Sequence, residues 1–271
     1  MSLRFNRQKV IALKNFTVSN FYRFIAIATI ILLTSCADVS QNIHLKYGNP
    51  SQAQTGRNNY LIERPQYALS YNCTAGIPNW VSWELDRSWL GKVERSNDFR
   101  PDLDLPERCY TVKPRDYRGS GYDRGHLVPS GDRTRGKEDN SATFIMSNII
   151  PQAPANNREV WREFEEYCRN LAFQGKKVYI VAGGSEFGDK IARDRITVQK
   201  YNWKVVLILD RPREEITADN AQTIAVWIPN SKEVERTDWR DYIVAVNWVE
   251  KKTGYNFFDR LPKAVQKQIE R

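Results

Sequence analysis

Histidine is scarce in this chain: two residues in 271, His44 and His126. Cysteine is nearly as scarce at four, with no CxxC pair and no Cys/His cluster. That excludes the usual zinc spacings. Long apolar runs are missing too. One run, FIAIATIILL at 24–33, is too short for a comfortable membrane span, and no other stretch approaches membrane-helix length. There is no internal repeat and no low-complexity block, so nothing suggests a solenoid or a compositional tail. Acidic residues are absent from the first 35 positions.

Those positions do carry Arg4, Arg7, Lys9, Lys14 and Arg23, followed by the apolar run and then Leu33-Thr34-Ser35-Cys36. A basic start and a short apolar middle read as a targeting segment over 1–35. The last four residues resemble a bacterial lipoprotein signal, in which the cysteine becomes the lipidated N-terminus. An ordinary secretory signal cut near Ala37 is the alternative. Both readings export the protein from the bacterial cytoplasm: lipid-anchored on Cys36 and facing the periplasm or exterior, or secreted. Removing five basic residues from 41 leaves 36 against 32 Asp and Glu, a balance of +4 in place of +9. Net charge then gives little support for nucleic-acid binding, and a cationic footprint would have to be local.

The remaining 236 residues suit one sizeable domain. Residues 36–58 are rich in Ser, Gln, Asn and Gly and read as a tether, with His44 a solvated tail residue. The domain is expected over 59–271. YALSYN (67–72) and WVSWEL (80–85) alternate and predict a hairpin. Residues 86–121 read as mostly loop. KVYIVAGG (177–184), ITVQ (196–199), WKVVLILD (203–210), TIAVWIP (223–229) and YIVAVNWV (242–249) read as strands, and short turns between them favour antiparallel pairing. A helix is expected over 156–175 and another over 262–270. The fold class is α+β, a central antiparallel sheet flanked by helices. Cys73 and Cys109 lie in turn-like contexts and are expected to pair; Cys168, inside a helical pattern, stays a buried thiol.

The stretch GSGYDRGHLVPSGDRT (119–134) places His126 after Asp123-Arg124-Gly125. It is either a base presented beside fixed cations or a surface turn with an incidental histidine. On the 156–175 helix, Val160, Trp161, Phe164, Tyr167, Cys168 and Leu171 form an apolar stripe. Asn157 sits at its head, with Glu165 and Arg169 on one flank as an i,i+4 pair. An amide, a carboxylate and a guanidinium on one edge can support a metal ion and a phosphate. Equally, Asn156 or Asn157 caps the helix and Glu165–Arg169 is a solvated ion pair.

The combination narrows these alternatives. YDRGHLVPSGDRT (122–134), EDNSATFIMSNIIPQ (138–152) and NNREVWREFEEYCR (156–169), in that order, resemble the sugar-nonspecific DNA/RNA endonucleases of the ββα-metal type, most closely their cyanobacterial branch. The likeness covers roughly 60–260. It implies His126 as general base, Asn157 as the single protein ligand of one Mg²⁺ or Mn²⁺ ion, and Glu165 as holder of metal-bound waters. It implies Arg124, Arg95 and Arg169 on the phosphate, and Asn148 as a polar support. The implied partners are DNA and RNA, single- or double-stranded, cut to 5′-phosphorylated products. If every contact goes to phosphate and metal, the sugar is not tested and binding weakens with salt. His126 is expected to give the pH–rate profile an acidic limb between pH 5 and 8. A protein inhibitor guarding the producing cell is a further partner left open. The rival classes are a non-catalytic nucleic-acid-binding lipoprotein and a structural envelope lipoprotein.

Overall fold

The computed structural model describes residues 42–212 and 214–271. The targeting segment expected over 1–35 and the expected lipidation site Cys36 lie outside them. Ten strands follow in chain order: β1 Thr55–Gly56, β2 Asn59–Glu63, β3 Ala68–Asn72, β4 Ile77–Leu85, β5 Asp123–His126, β6 Ile149–Gln152, β7 Lys177–Ile191, β8 Ile196–Leu209, β9 Ala221–Pro229 and β10 Ile243–Val244. The helices are α1 Lys137–Ala142, α2 Trp161–Phe173, α3 Val246–Thr253 and α4 Lys263–Ile269. Eight strands form one antiparallel sheet in the order β1-β2-β3-β4-β7-β8-β9-β10, while β5 and β6 pair separately. The fold is α+β.

Alternation along the central strands explains the layering. In β8, Val206 and Ile208 face one side and Trp203, Val205, Leu207 and Leu209 the other; β7 divides the same way, with Val178, Ile180 and Ala182 against Tyr179 and Val181. A sheet buried on both faces needs apolar residues at every position, so these strands look continuous rather than alternating. One face is covered by α2 and the turn before it, through Val160, Trp161 and Phe164, and by the β5–β6 region, through Leu127 and Ile150. The other is covered by Leu45, Tyr47 and Ala53 and by the C-terminal segment with Val249, Phe257 and Val265.

Four sequence expectations change. Residues 42–58 are not a tether: they carry a 3₁₀ turn at Ile43–Leu45, strand β1 and three buried apolar residues. His44 is not a tail residue. It is 2% exposed, its Nδ1 accepts from Glu84 N at 3.0 Å, and its Nε2 lies 2.9 Å from the Pro65 carbonyl. The two strands expected at 196–199 and 203–210 are one, β8. YIVAVNWV is a strand only at Ile243–Val244; Val246 and Val249, spaced i,i+3, then bury one side of α3, which ends at left-handed Gly254. Cys73 and Cys109 form a disulfide and Cys168 is a buried free thiol.

Candidate active site

The DRGH residues are strand β5, held in register with β6: Asp123 opposite Gln152, Gly125 opposite Ile150, His126 opposite Ile149. Gly125 is required by close approach, since a β-carbon there would collide with the Gln152 side chain. Asn148, just before β6, locks the strand's exit. Its Oδ1 accepts from Val128 N at 2.9 Å, and its Nδ2 donates to the carbonyls of Val128 at 2.9 Å and Thr143 at 2.8 Å. It is fully buried, with its amide committed to backbone, so it faces no substrate directly.

His126 is 7% exposed and wedged between Phe144, edge-on with centroids 4.8 Å apart, and Phe99 at 5.3 Å. Each phenylalanine also carries a cation: Arg95 over Phe144 at 4.7 Å and Arg124 over Phe99 at 4.2 Å. Arg95 is steadied by Ser130 Oγ at 2.9 Å. Burial, then Arg95 and Arg124, push the His126 ring down to about 3, so it is neutral at physiological pH. Among the described residues neither ring nitrogen has a hydrogen-bond partner. Nε2 is fully buried, which leaves Nδ1 as the nitrogen that can meet water.

The chain reaches α2 through a π-helical turn, Asn156–Val160. Neither asparagine caps the helix. Asn156 is buried and committed: its Oδ1 accepts from Gln152 Nε2 at 2.6 Å and its Nδ2 donates to the Pro229 carbonyl at 2.7 Å. Asn157 donates Nδ2 to Asp123 Oδ2 at 2.9 Å. Asp123 also takes a two-pronged contact from Arg158 at 2.7 and 2.8 Å. Burial raises the Asp123 carboxyl, but Arg158 and Asn157 outweigh it and hold it below the ordinary range. Asp123 thus ties the strand bearing His126 to the turn bearing Asn157. With Nδ2 held there, Asn157 Oδ1 is an oxygen without a partner among the described residues.

Glu165 and Arg169 share a flank of α2 but do not pair. Arg169 donates to Asp132 Oδ1 at 3.0 Å, and Asp132, 1% exposed, also accepts from Trp83 Nε1 at 2.9 Å. The expected i,i+4 pair gives way because Asp132 is a buried acceptor that needs a cation. Glu165 instead faces Lys204 Nζ at 3.8 Å; its side chain is 12% exposed. Burial raises its carboxyl to about 7, against the pull of Lys204 and Arg169. Lys204 is itself fully buried, 4.1 Å over the Trp161 ring.

The structure therefore brings Arg95, Arg124 and His126 together, places Arg95 within electrostatic reach of Glu165, and joins Asn157 to the start of the His126 strand. Asn148 stands behind them. Sequence reasoning gave no role to Asp123, Asp132, Lys204, Phe99 or Phe144. Lys204 left one signal, a lone cation inside the apolar run WKVVLILD. Among the described residues no three His, Cys, Asp or Glu side chains gather to hold a metal ion. A hard cation here would take one amide oxygen and otherwise water.

The family profile described as DNA/RNA non-specific endonuclease matches residues 44–264. The chain belongs to the DNA/RNA non-specific endonuclease family. A nuclease of Nostoc sp. is 49% identical over 237 residues, covering 85% of this chain and 86% of that one. The mitochondrial nuclease EXOG of Xenopus laevis is 32% identical over 211 residues, covering 73% of this chain; the chain spans 58% of that protein. Among solved structures, an EndoG/EndoGI complex superposes with a TM-score of 0.70 at 26% identity, over 83% of this chain and 93% of that one. The endonuclease likeness thus begins at residue 44, inside the segment that looked like a tether.

Proposed function

We propose that the chain is an endonuclease that hydrolyses DNA and RNA, single- or double-stranded, with one divalent ion, Mg²⁺ or Mn²⁺, leaving 5′-phosphates. The observation that carries this is the neutral His126 ring, unpaired and wedged between two arginine-bearing phenylalanines, in a chain of the nuclease family. A base must keep an open lone pair, and cations must stand where the phosphate will lie.

Arg95 and Arg124 bind the scissile phosphate through their forked donors, with Arg169 behind them. His126 Nδ1 takes a proton from the attacking water while the proton on Nε2 stays in the buried wall. The arginines that depress the ring in the free protein are those a bound phosphate neutralises, so substrate makes the ring more basic. Asn157 Oδ1 would hold the ion, and Glu165 would accept from water around it. When bound, the ion stabilises charge on the phosphate and the departing 3′ oxygen. Asp123 keeps the Asn157 amide turned outward.

The test is nicking of supercoiled plasmid and degradation of RNA by the intact chain with Mg²⁺, with Mn²⁺ and with EDTA, beside His126→Ala. Cleavage of both substrates that needs metal and falls by a factor on the order of 10²–10⁴ in the variant, with DNA affinity kept, supports the reading. DNA binding without cleavage under any metal would make the chain a binding protein. End-group labelling of the products reads the 5′-phosphate.

Two finer points belong to the same proposal. The chain is exported and carries a lipid on Cys36, supported by the basic start, apolar run and Leu-Thr-Ser-Cys order; loss of palmitate labelling in Cys36→Ala checks it. A protein inhibitor accompanies it in the producing cell, supported by the inhibited EndoG structure; toxicity of the unexported chain on its own checks that.

A further inference from the structure

A cleft of about 700 Å³ lies outside the His126 site and is lined by Tyr110, Arg115, Arg118, Ser120, Arg193 and Arg195, among others. All four arginines are exposed. Among the described residues none of them joins an ion pair. Asp116, the carboxylate in the lining, is occupied: its Oδ2 accepts from Tyr110 Oη at 3.0 Å and from Lys113 N at 2.8 Å. Arg195 lies over the Tyr110 ring at 4.5 Å, which fixes its guanidinium on the wall.

The walls are built to hold these cations. Arg193 and Arg195 sit at the β7–β8 tip, where Ala192, Arg193 and Asp194 have φ of 55°, 56° and 65°. Three successive non-glycine residues in the left-handed region cost free energy and persist only where the surroundings hold them. Here Thr197 N donates to the Ala75 carbonyl at 2.8 Å, and Gly76 packs so closely on the Arg195 carbonyl that no β-carbon would fit. The Cys73–Cys109 disulfide ties that same turn to the loop carrying Tyr110. One clamp therefore sets both walls.

The cleft also connects to the site. A second cleft of about 300 Å³ is lined by Arg118, Tyr122, Asp123 and Arg124, so Arg118 belongs to both. Resting on the nuclease reading above, we infer that this cleft is a distal subsite for the phosphodiester backbone of the substrate strand, several nucleotides from the scissile phosphate. Unpaired exposed arginines in a continuous path suit a polyanion, and Tyr122 on the wall of the second cleft adds an aromatic ring near the strand's path.

The test uses the full chain in EDTA, with fluorescein-labelled single-stranded oligonucleotides of 4 and 12 nucleotides, titrated across salt. The variants are Arg115→Gln/Arg193→Gln/Arg195→Gln and the matching triple lysine variant. The cleft predicts that the glutamine variant loses affinity for the 12-mer and that its slope of log K against log salt shrinks by about 2. The 4-mer should bind as before, and the lysine variant should keep most of the slope. Hydrolysis of bis(p-nitrophenyl) phosphate with Mn²⁺, a substrate with no strand to reach the cleft, follows the His126 centre alone. An unchanged 12-mer slope overturns the subsite. So does an equal loss on both oligonucleotides with a lowered melting temperature. Wild-type protein that neither binds either strand nor hydrolyses the small diester overturns the nuclease reading itself.

Discussion

His44 and His126 occupy different parts of the fold and share one electrostatic state. Burial comes first for both; Arg133 adds to it at His44, and Arg95 and Arg124 at His126. Each ring is pushed down to about 3. A folded value below the unfolded one means that the unfolded chain binds the proton more tightly. The stability each ring contributes is complete above pH 6.5 and is lost as pH falls from there toward 3, by up to about 1.4 kcal/mol per pH unit per ring. In an NMR titration of the metal-free protein, neither imidazole should titrate above pH 5; one midpoint near 6.5 would refute this. The acidic limb that the sequence assigned to His126 correspondingly moves below pH 5 in kcat/KM, which follows the free enzyme, while the limb in kcat follows the more basic, substrate-bound ring. His126 itself was legible because DRGH carries it. The burial of His44 was not, because it depends on Pro65 and Glu84, 21 and 40 residues away.

Among the elements, α2 was the most legible. Val160, Trp161, Phe164, Cys168 and Leu171 recur at helical spacing and are all buried. What periodicity did not show is the π-helical turn at its start, which sends Asn156 into the sheet and leaves Asn157 facing β5. Nor did it show Lys204, whose strand must first be laid beneath the helix. YIVAVNWV misled for a related reason: its β-branched residues favour a strand, but after Val244 no further pairing with β9 is made and a helical surface is buried instead. The contact between strand and turn yields a test. Asp123→Ala should weaken Mn²⁺ binding by roughly 10–100-fold in calorimetry, the scale expected when a ligand loses its orienting partner. Asp123→Asn, which keeps an acceptor for Asn157 Nδ2, should recover most of it. Equal affinity in all three proteins would remove Asp123 from that role.

In the described body, residues 45–51 are joined to the C-terminal segment and to β4. Arg260 donates to the carbonyls of Tyr47 and Leu45, Asn256 N donates to that of Pro50, and Trp80 Nε1 reaches Ser51 Oγ at 2.8 Å. A fragment beginning at residue 59 would uncover the part of that sheet face on which Leu45, Tyr47 and Ala53 pack. It should lose about 5 kcal/mol or more against 42–271, from the burial of Leu45, Tyr47 and Ala53 and the polar contacts of His44. Melting temperatures of the two fragments check this. Reduction of Cys73–Cys109, which closes a loop with a sequence separation of 36, should cost about 4 kcal/mol by denaturant titration. The large sheet was legible in its strands. Its order and its covered outer face were not, because the residues that cover it, 42–58, are polar in composition and apolar only at a few inward positions.

That folded segment also bears on the lipid proposed for Cys36. Residues 42–58 are packed into the body, and in the sequence five positions, 37–41, separate Cys36 from residue 42. Five residues extend no further than about 18 Å. If the proposed lipid is present on Cys36, that length bounds how far the body can stand from the bilayer. Under that proposal its substrates would be strands that come within that reach of the membrane surface.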